Sequence, residues 1–254
     1  MVVNFRVPAL LAASAVVVLG VAGCTAGAGH PMATYPSPTA AATSLGATLT
    51  SSTVSDTLPT AEALPGDSWH VISDKEGASQ LLATIGAATF EPAACDVRGV
   101  LTPSTGSAQP VAHAGISFSR FVGGPPQYAS ADVYSYADKV TDATLADVKK
   151  MVAECGTITA TAAGQTIDVS LKTTTPVTKY GDETVEVHAD FYPEWAKTPG
   201  GVPAELLSVV DTEIVRIGHT VVVVTYVGLG NAQTGVAENL TAATMAGLQQ
   251  VTGR

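Results

Sequence analysis

The sequence predicts an α+β fold: a single antiparallel β-sheet with helices packed on one face, forming one domain after a signal peptide and a disordered linker. Three observations carry this. Period-two alternation of apolar and polar residues recurs from residue 112 onward. Two segments carry an apolar stripe at steps of three and four, the spacing of one helix face. The first 65 residues are either uniformly apolar or uniformly small and polar, with no periodicity of either kind.

Residues 1–23 read as the signal peptide. Arg6 is the sole charged side chain, and Val7 to Ala22 carries no ionisable group. As a helix that run spans about 24 Å, short of the roughly 30 Å hydrocarbon core of a bilayer. A signal-peptide apolar region fits the length better than a membrane span. Val21-Ala22-Gly23-Cys24 closes it and matches the bacterial lipobox. Small residues there let the peptidase approach the backbone, and the cysteine thiol takes the lipid. The expectation is a protein held at the extracytoplasmic face of the cell membrane by acyl chains on Cys24, its anchor to the membrane. Ordinary secretion with an incidental cysteine is the alternative.

The 12 basic residues less Arg6 leave 11 against 22 acidic ones, a net charge near −11 after cleavage. Such a surface repels phosphate backbones, so nucleic acid is not an expected partner. Cys95 and Cys155 remain once Cys24 is lipidated. In an oxidising compartment two cysteines pair by default; free thiols or half a metal site are the alternatives.

Residues 24–65 are rich in Ser, Thr, Ala and Pro and read as a disordered tether, which places the folded domain at 66–254. Asp74 to Ala83 reads as a short helix and Phe90 to Gly99 as a helical turn around Cys95. Ala112–Phe121 and Ala129–Tyr136 alternate and form a hairpin broken by Gly123-Gly124-Pro125-Pro126. Asp142 or Thr144 caps a helix whose stripe is Leu145, Val148, Met151, Val152 and Cys155, and Gly156 ends it. Strands follow at Thr157–Ala162, Gln165–Thr174 and Glu183–Tyr192. Leu207–Ile217 and Thr220–Val227 make a second hairpin about Gly218-His219. The run Val221-Val222-Val223-Val224 marks a strand buried on both faces. A last helix covers about Gln233 to Val251.

This order of elements carries a resemblance. Cys95 in a short helical turn, an alternating hairpin, a helix ending in Cys155, and the Val-rich hairpin Val215-Arg216-Ile217-Gly218-His219-Thr220-Val221-Val222-Val223 resemble the extracytoplasmic sensor domains of actinobacterial PknH-type kinases, and the free lipoproteins that carry the same module. The similarity covers most of residues 75–252. It implies a non-catalytic sensor domain with a ligand-binding cleft. The chain departs from that family in having cysteines for one disulfide rather than two, and in lacking the tryptophan often found shortly before the helix-end cysteine, where Met151 and Val152 stand. A PsbP-like lipoprotein fold is the structural runner-up.

Chemistry-bearing constellations are few. Gly228 to Gly235 follows a strand and opens a helix, but its spacing is wrong for a dinucleotide loop and no βαβ unit can follow it. Glu186, His188, Asp190 and Tyr192 share one strand face. That row offers a proton relay or a metal ligand, and equally a solvated sheet face; ligands two apart lie nearly 7 Å apart, too far to share one zinc. Gly115-Ile116-Ser117-Phe118-Ser119 lacks the second glycine of a nucleophile elbow. No catalytic residue, metal site or cofactor is expected. Large rings in Pro/Gly-rich loops, Trp195, Phe121 and Tyr128, together with His188, are the candidate ligand contacts. The expected function is non-catalytic binding of a small molecule or an envelope protein. A structural or assembly lipoprotein acting through protein contacts is the alternative, and an envelope hydrolase built on His188 with a carboxylate and a nucleophile is a third.

Overall fold

Nine strands pair antiparallel throughout in the order β1-β3-β4-β9-β8-β7-β6-β5-β2. They are β1 (Trp69–Ser73), β2 (Thr89–Glu91), β3 (Ala112–Arg120), β4 (Gln127–Ser135), β5 (Thr157–Ala162), β6 (Gln165–Thr174), β7 (Glu183–Pro193), β8 (Ser208–Ile217) and β9 (Thr220–Leu229). Three α-helices accompany them: α1 (Ser51–Ser55), α2 (Ala143–Glu154) and α3 (Val236–Thr252). The computed structural model describes residues 47–73, 88–98, 109–121, 126–141, 143–162, 165–193, 208–229, 233 and 235–252, and these counts refer to those residues. The predicted helix at 74–83 lies outside them, and the turn expected at 90–99 is a short strand followed by a 3-10 turn at Ala93–Cys95.

The helices do not share a face, contrary to the sequence expectation. On β9, Val222, Val224 and Tyr226 pack into one core with Val236, Leu240, Met245 and Leu248 of α3 and Val54 of α1. Val221 and Val223 point the other way, into a second core with Leu145, Val148 and Val152 of α2. Successive strand residues alternate between faces, so α1 and α3 cover the first face and α2 the second. The α3 side lies over the β4-β9-β8 part of the sheet, and α2 lies over β6 and β7.

The predicted tether ends earlier than its composition implies. Thr50 caps α1 by accepting from the Thr53 N–H. Leu49, Val54 and Leu64 are buried in the first core, with Leu58 against it. At Gly247 of α3 a Cβ would come within 2.6 Å of the Thr57 carbonyl oxygen, so the helix and this arm touch backbone to backbone. The arm is closed at its far end by Pro65. Its carbonyl accepts from Trp69 Nε1 at 3.0 Å and from Gln233 Nε2 at 3.2 Å. Arg120 donates to Gln233 Oε1 and lies over the Trp69 ring. Residues 47–65 therefore belong to the domain; residues 24–46 lie outside the described set.

Cys95 and Cys155 are bonded, with Cα atoms 5.6 Å apart, which selects the disulfide from the alternatives the sequence left open. The bridge ties the 3-10 turn after edge strand β2 to the end of α2. Closing a 60-residue separation constrains the unfolded chain by about 4 kcal/mol on the chain-entropy estimate. The double variant C95A/C155A is expected to unfold at a correspondingly lower urea concentration with its far-ultraviolet circular dichroism retained. An unchanged midpoint would show the bridge to be energetically idle.

Candidate functional site

The second sheet face is apolar under α2 and polar beyond it. Ser117 of β3 pairs with Ser130 of β4, Ser130 with Thr225 of β9, and Thr225 with Thr212 of β8. Four hydroxyls thus form one row across four adjacent strands, at the roughly 4.8 Å spacing of a sheet. Each of these residues is no more than 6% exposed. Thr212 and Thr225 lie at hydrogen-bond distance, 3.5 Å, while Ser117 Oγ has no partner among the described residues. A buried hydroxyl without a partner is costly, which sets Ser117 apart from an ordinary β-sheet serine.

The next row toward the β8–β9 turn holds Asp132, buried in the sheet. His113 Nε2 lies 3.0 Å from its Oδ1, and the His113 ring stacks on Tyr134 at 4.4 Å between centroids, nearly parallel. Burial, and then the Asp132 carboxylate, push the Tyr134 phenol well above its ordinary range, so it stays a neutral donor. At the opposite end, Tyr128 pairs across from Ser119 and is 41% exposed, and Phe121 just beyond β3 is 71% exposed. The arrangement is a hydroxyl floor with a carboxylate–imidazole pair on one side and aromatic rings on the other. Each hydroxyl both donates and accepts, which suits ligands that do the same.

Of the predicted contacts, Phe121 and Tyr128 therefore fall together at one hairpin. His188 does not join them: it lies on the first face, because it pairs across β7–β8 with Asp211, next to the α3-side residue Tyr226 in register. Its Nδ1 is 2.6 Å from Asp211 Oδ1 and its Nε2 is 3.0 Å from Asp190 Oδ1. The solvated row expected at Glu186–Tyr192 is thus half-buried and ion-paired, since β8 brings a carboxylate that strand alternation does not reveal. Both ring nitrogens face carboxylates. Trp195 lies outside the described residues. Among those residues, no group of three or more His, Cys, Asp or Glu is placed to hold a metal ion. The glycine-rich turn closes on Tyr226: its hydroxyl accepts from the Gln233 N–H at 3.0 Å, and a Cβ at Gly228 would meet that hydroxyl at 2.6 Å.

Sequence reading missed the hydroxyl row and Asp132. Their signal was present in the polar half of each alternation, Ser117 in β3 and Ser130, Asp132 and Tyr134 in β4, which looks like a water-facing side until the strand pairing is known.

No protein-family model and no curated protein sequence matches the chain. Solved structures resemble it, two mycobacterial ones among them. The extracellular domain of PknH from Mycobacterium tuberculosis superposes with a TM-score of 0.56 at 12% identity, covering 81% of this chain and 99% of that one. An uncharacterised protein from Mycobacterium smegmatis gives a TM-score of 0.39 at 14% identity over 72% and 90% of the two chains. At such identities the likeness speaks to architecture alone, and on that level the chain has the fold of the PknH extracellular domain.

Proposed function

We propose that this chain is a lipid-anchored, extracytoplasmic, sensor-like protein that binds a small polar ligand without catalysis. The anchor rests on the lipobox at Cys24; the extracytoplasmic setting is supported by the signal peptide, the buried disulfide and the extracellular neighbour. No helix among the described residues is long and apolar enough to cross a membrane. The observation that carries the binding reading is the buried hydroxyl row Ser117–Ser130–Thr225–Thr212 beside Asp132, in which Ser117 Oγ has no partner among the described residues. Ligands rich in hydroxyl or amide groups, such as sugars, fit it, with Tyr128 and Phe121 available for stacking.

Native mass spectrometry of the protein purified from the envelope of a host that processes it tests this. The expected result is an adduct of defined small mass that is lost on denaturation. Ser117→Val with Thr225→Val is expected to lower its occupancy, each lost hydrogen bond weakening binding by up to about tenfold. A clean apo mass in repeated preparations would count against the reading. A protein-contact role is the second reading, favoured by the exposed Phe121 and Tyr128 at the β3–β4 hairpin and by the exposed Val71 and Ile72 of edge strand β1. Cross-linking from that hairpin would capture the partner.

A further inference from the structure

The proposal concerns how the domain meets the membrane, and it rests on the anchoring reading above. The described chain enters the domain at one particular end of the sheet. Thr48 Oγ1 donates to the Tyr136 carbonyl at 3.1 Å, and the Leu49 N–H donates to Ser135 Oγ at 2.9 Å, where β4 finishes. His219, in the β8–β9 turn, bonds the carbonyls of the same Tyr136 and Ala137. Asp182 accepts from the neighbouring Gly218 N–H at 2.8 Å, which brings in the β6–β7 loop. The β3–β4 hairpin with Phe121 and Tyr128 lies at the other end, one strand length away, roughly 30 Å for a nine-residue strand.

We propose that the end formed by residues 137–141, the β6–β7 loop at 175–182 and the Gly218–His219 turn is the surface that rests on the lipid bilayer. Three observations agree. First, the chain leading back to Cys24 leaves from this end, and the two dozen or so residues between them reach at most about 85 Å. Turning the domain over would spend some 30 Å of that reach on its own flank. Second, the charge here differs from the rest of the molecule. Within these segments Lys139 and Lys179 stand against Asp138 and Asp182, an even balance, whereas the whole chain carries 12 basic and 22 acidic residues. An anionic lipid surface repels the remainder and tolerates this end. Third, the loop has an apolar tip: Val177 is 84% exposed, with Lys179 two residues on, and Val111 is also exposed at this end. An apolar side chain beside a lysine that can reach the headgroups is interfacial chemistry. The hairpin carrying Phe121 and Tyr128 would then face away from the bilayer, toward whatever the domain recognises.

The test uses the full, lipidated protein bearing V177C or F121C. The native cysteines are acylated or bridged, so each variant offers one thiol for a fluorophore. The proteins are placed on vesicles of phosphatidylethanolamine and phosphatidylglycerol containing a headgroup spin-labelled lipid. Quenching is expected to be several-fold stronger at residue 177 than at residue 121. Equal quenching, or stronger quenching at 121, overturns the proposal while leaving the anchor intact. Flotation with the same vesicles, compared with C24A, reports the anchor separately. If the unsubstituted protein fails to float, the anchoring reading falls and the proposal with it.

Discussion

A chain shortened to begin at residue 66 is expected to lose cooperative folding, whereas one beginning at residue 47 keeps it. The arm between them buries Leu49, Val54 and Leu64 in the core beneath α3. Each fully buried aliphatic side chain is worth about 1.5–3 kcal/mol. Removing the arm also uncovers the core it packs into, whose sheet residues include Phe118 and Val133, and leaves Trp69 and Gln233 without the Pro65 carbonyl. The cost of ordering the arm offsets part of the loss, but a domain of ordinary stability has only about 5–15 kcal/mol in hand. Urea unfolding followed by fluorescence of the buried Trp69, with binding of an apolar dye, reads the outcome. Leu64→Ala in the longer chain serves as the graded version and is expected to cost about 2–5 kcal/mol. Equal midpoints and slopes for both truncations would mean that the arm is an ornament on a domain complete without it.

The arm shows where composition misleads. Between residues 47 and 65 the apolar residues are few and irregularly spaced, and Ser, Thr and Pro dominate. Nothing local distinguishes such a segment from a spacer, because its order comes from the groove between α3 and the sheet. By contrast, β5 to β9 and α2 fall close to their predicted bounds. Each has a periodic apolar face resting on one of the two cores, and the turns between them carry glycine. Burial of one face is a local property, and local patterns report it.

Two misreadings have a common cause in what pairing adds. From β7 alone His188 is solvent-facing, because its carboxylate partner Asp211 is 23 residues away on β8. The hydroxyl row needs four strands in register, each contributing one Ser or Thr that is unremarkable alone. The placement of helices on both faces, by contrast, is legible in the sequence. A strand such as Val221-Val222-Val223-Val224, buried on both sides, requires cover on both sides, and α2 and α3 supply it.

The same double cover explains the molecule's expected response to pH. Glu213 of β8 lies on the first face, 4% exposed, beneath α3. Thr241 and Glu238 approach it from α3, Glu186 stands across from it on β7, and Val224 is its partner on β9. Burial raises its pKa to about 8, assisted by the Glu186 and Glu238 carboxylates and opposed by the Thr241 hydroxyl. Between the ordinary glutamate range and pH 8 the folded protein therefore holds a proton that the unfolded chain has released. Stability must fall as pH rises through that window and level off above it. Three or so pH units of displacement correspond to a loss on the order of 4 kcal/mol. Asp96, whose pKa is lowered by its hydrogen bonds from Arg98, acts in the opposite sense and at more acid pH, so the two effects do not overlap. Glu213→Gln keeps the size and hydrogen-bonding capacity of the protonated acid and cannot ionise. The variant is expected to match the parent near pH 5 and to exceed it progressively toward pH 8.5, with urea midpoints separating by roughly 2 M at typical denaturant slopes. Parallel curves for the two proteins across that range would mean that Glu213 ionises without cost and that α3 does not seal the acid from water.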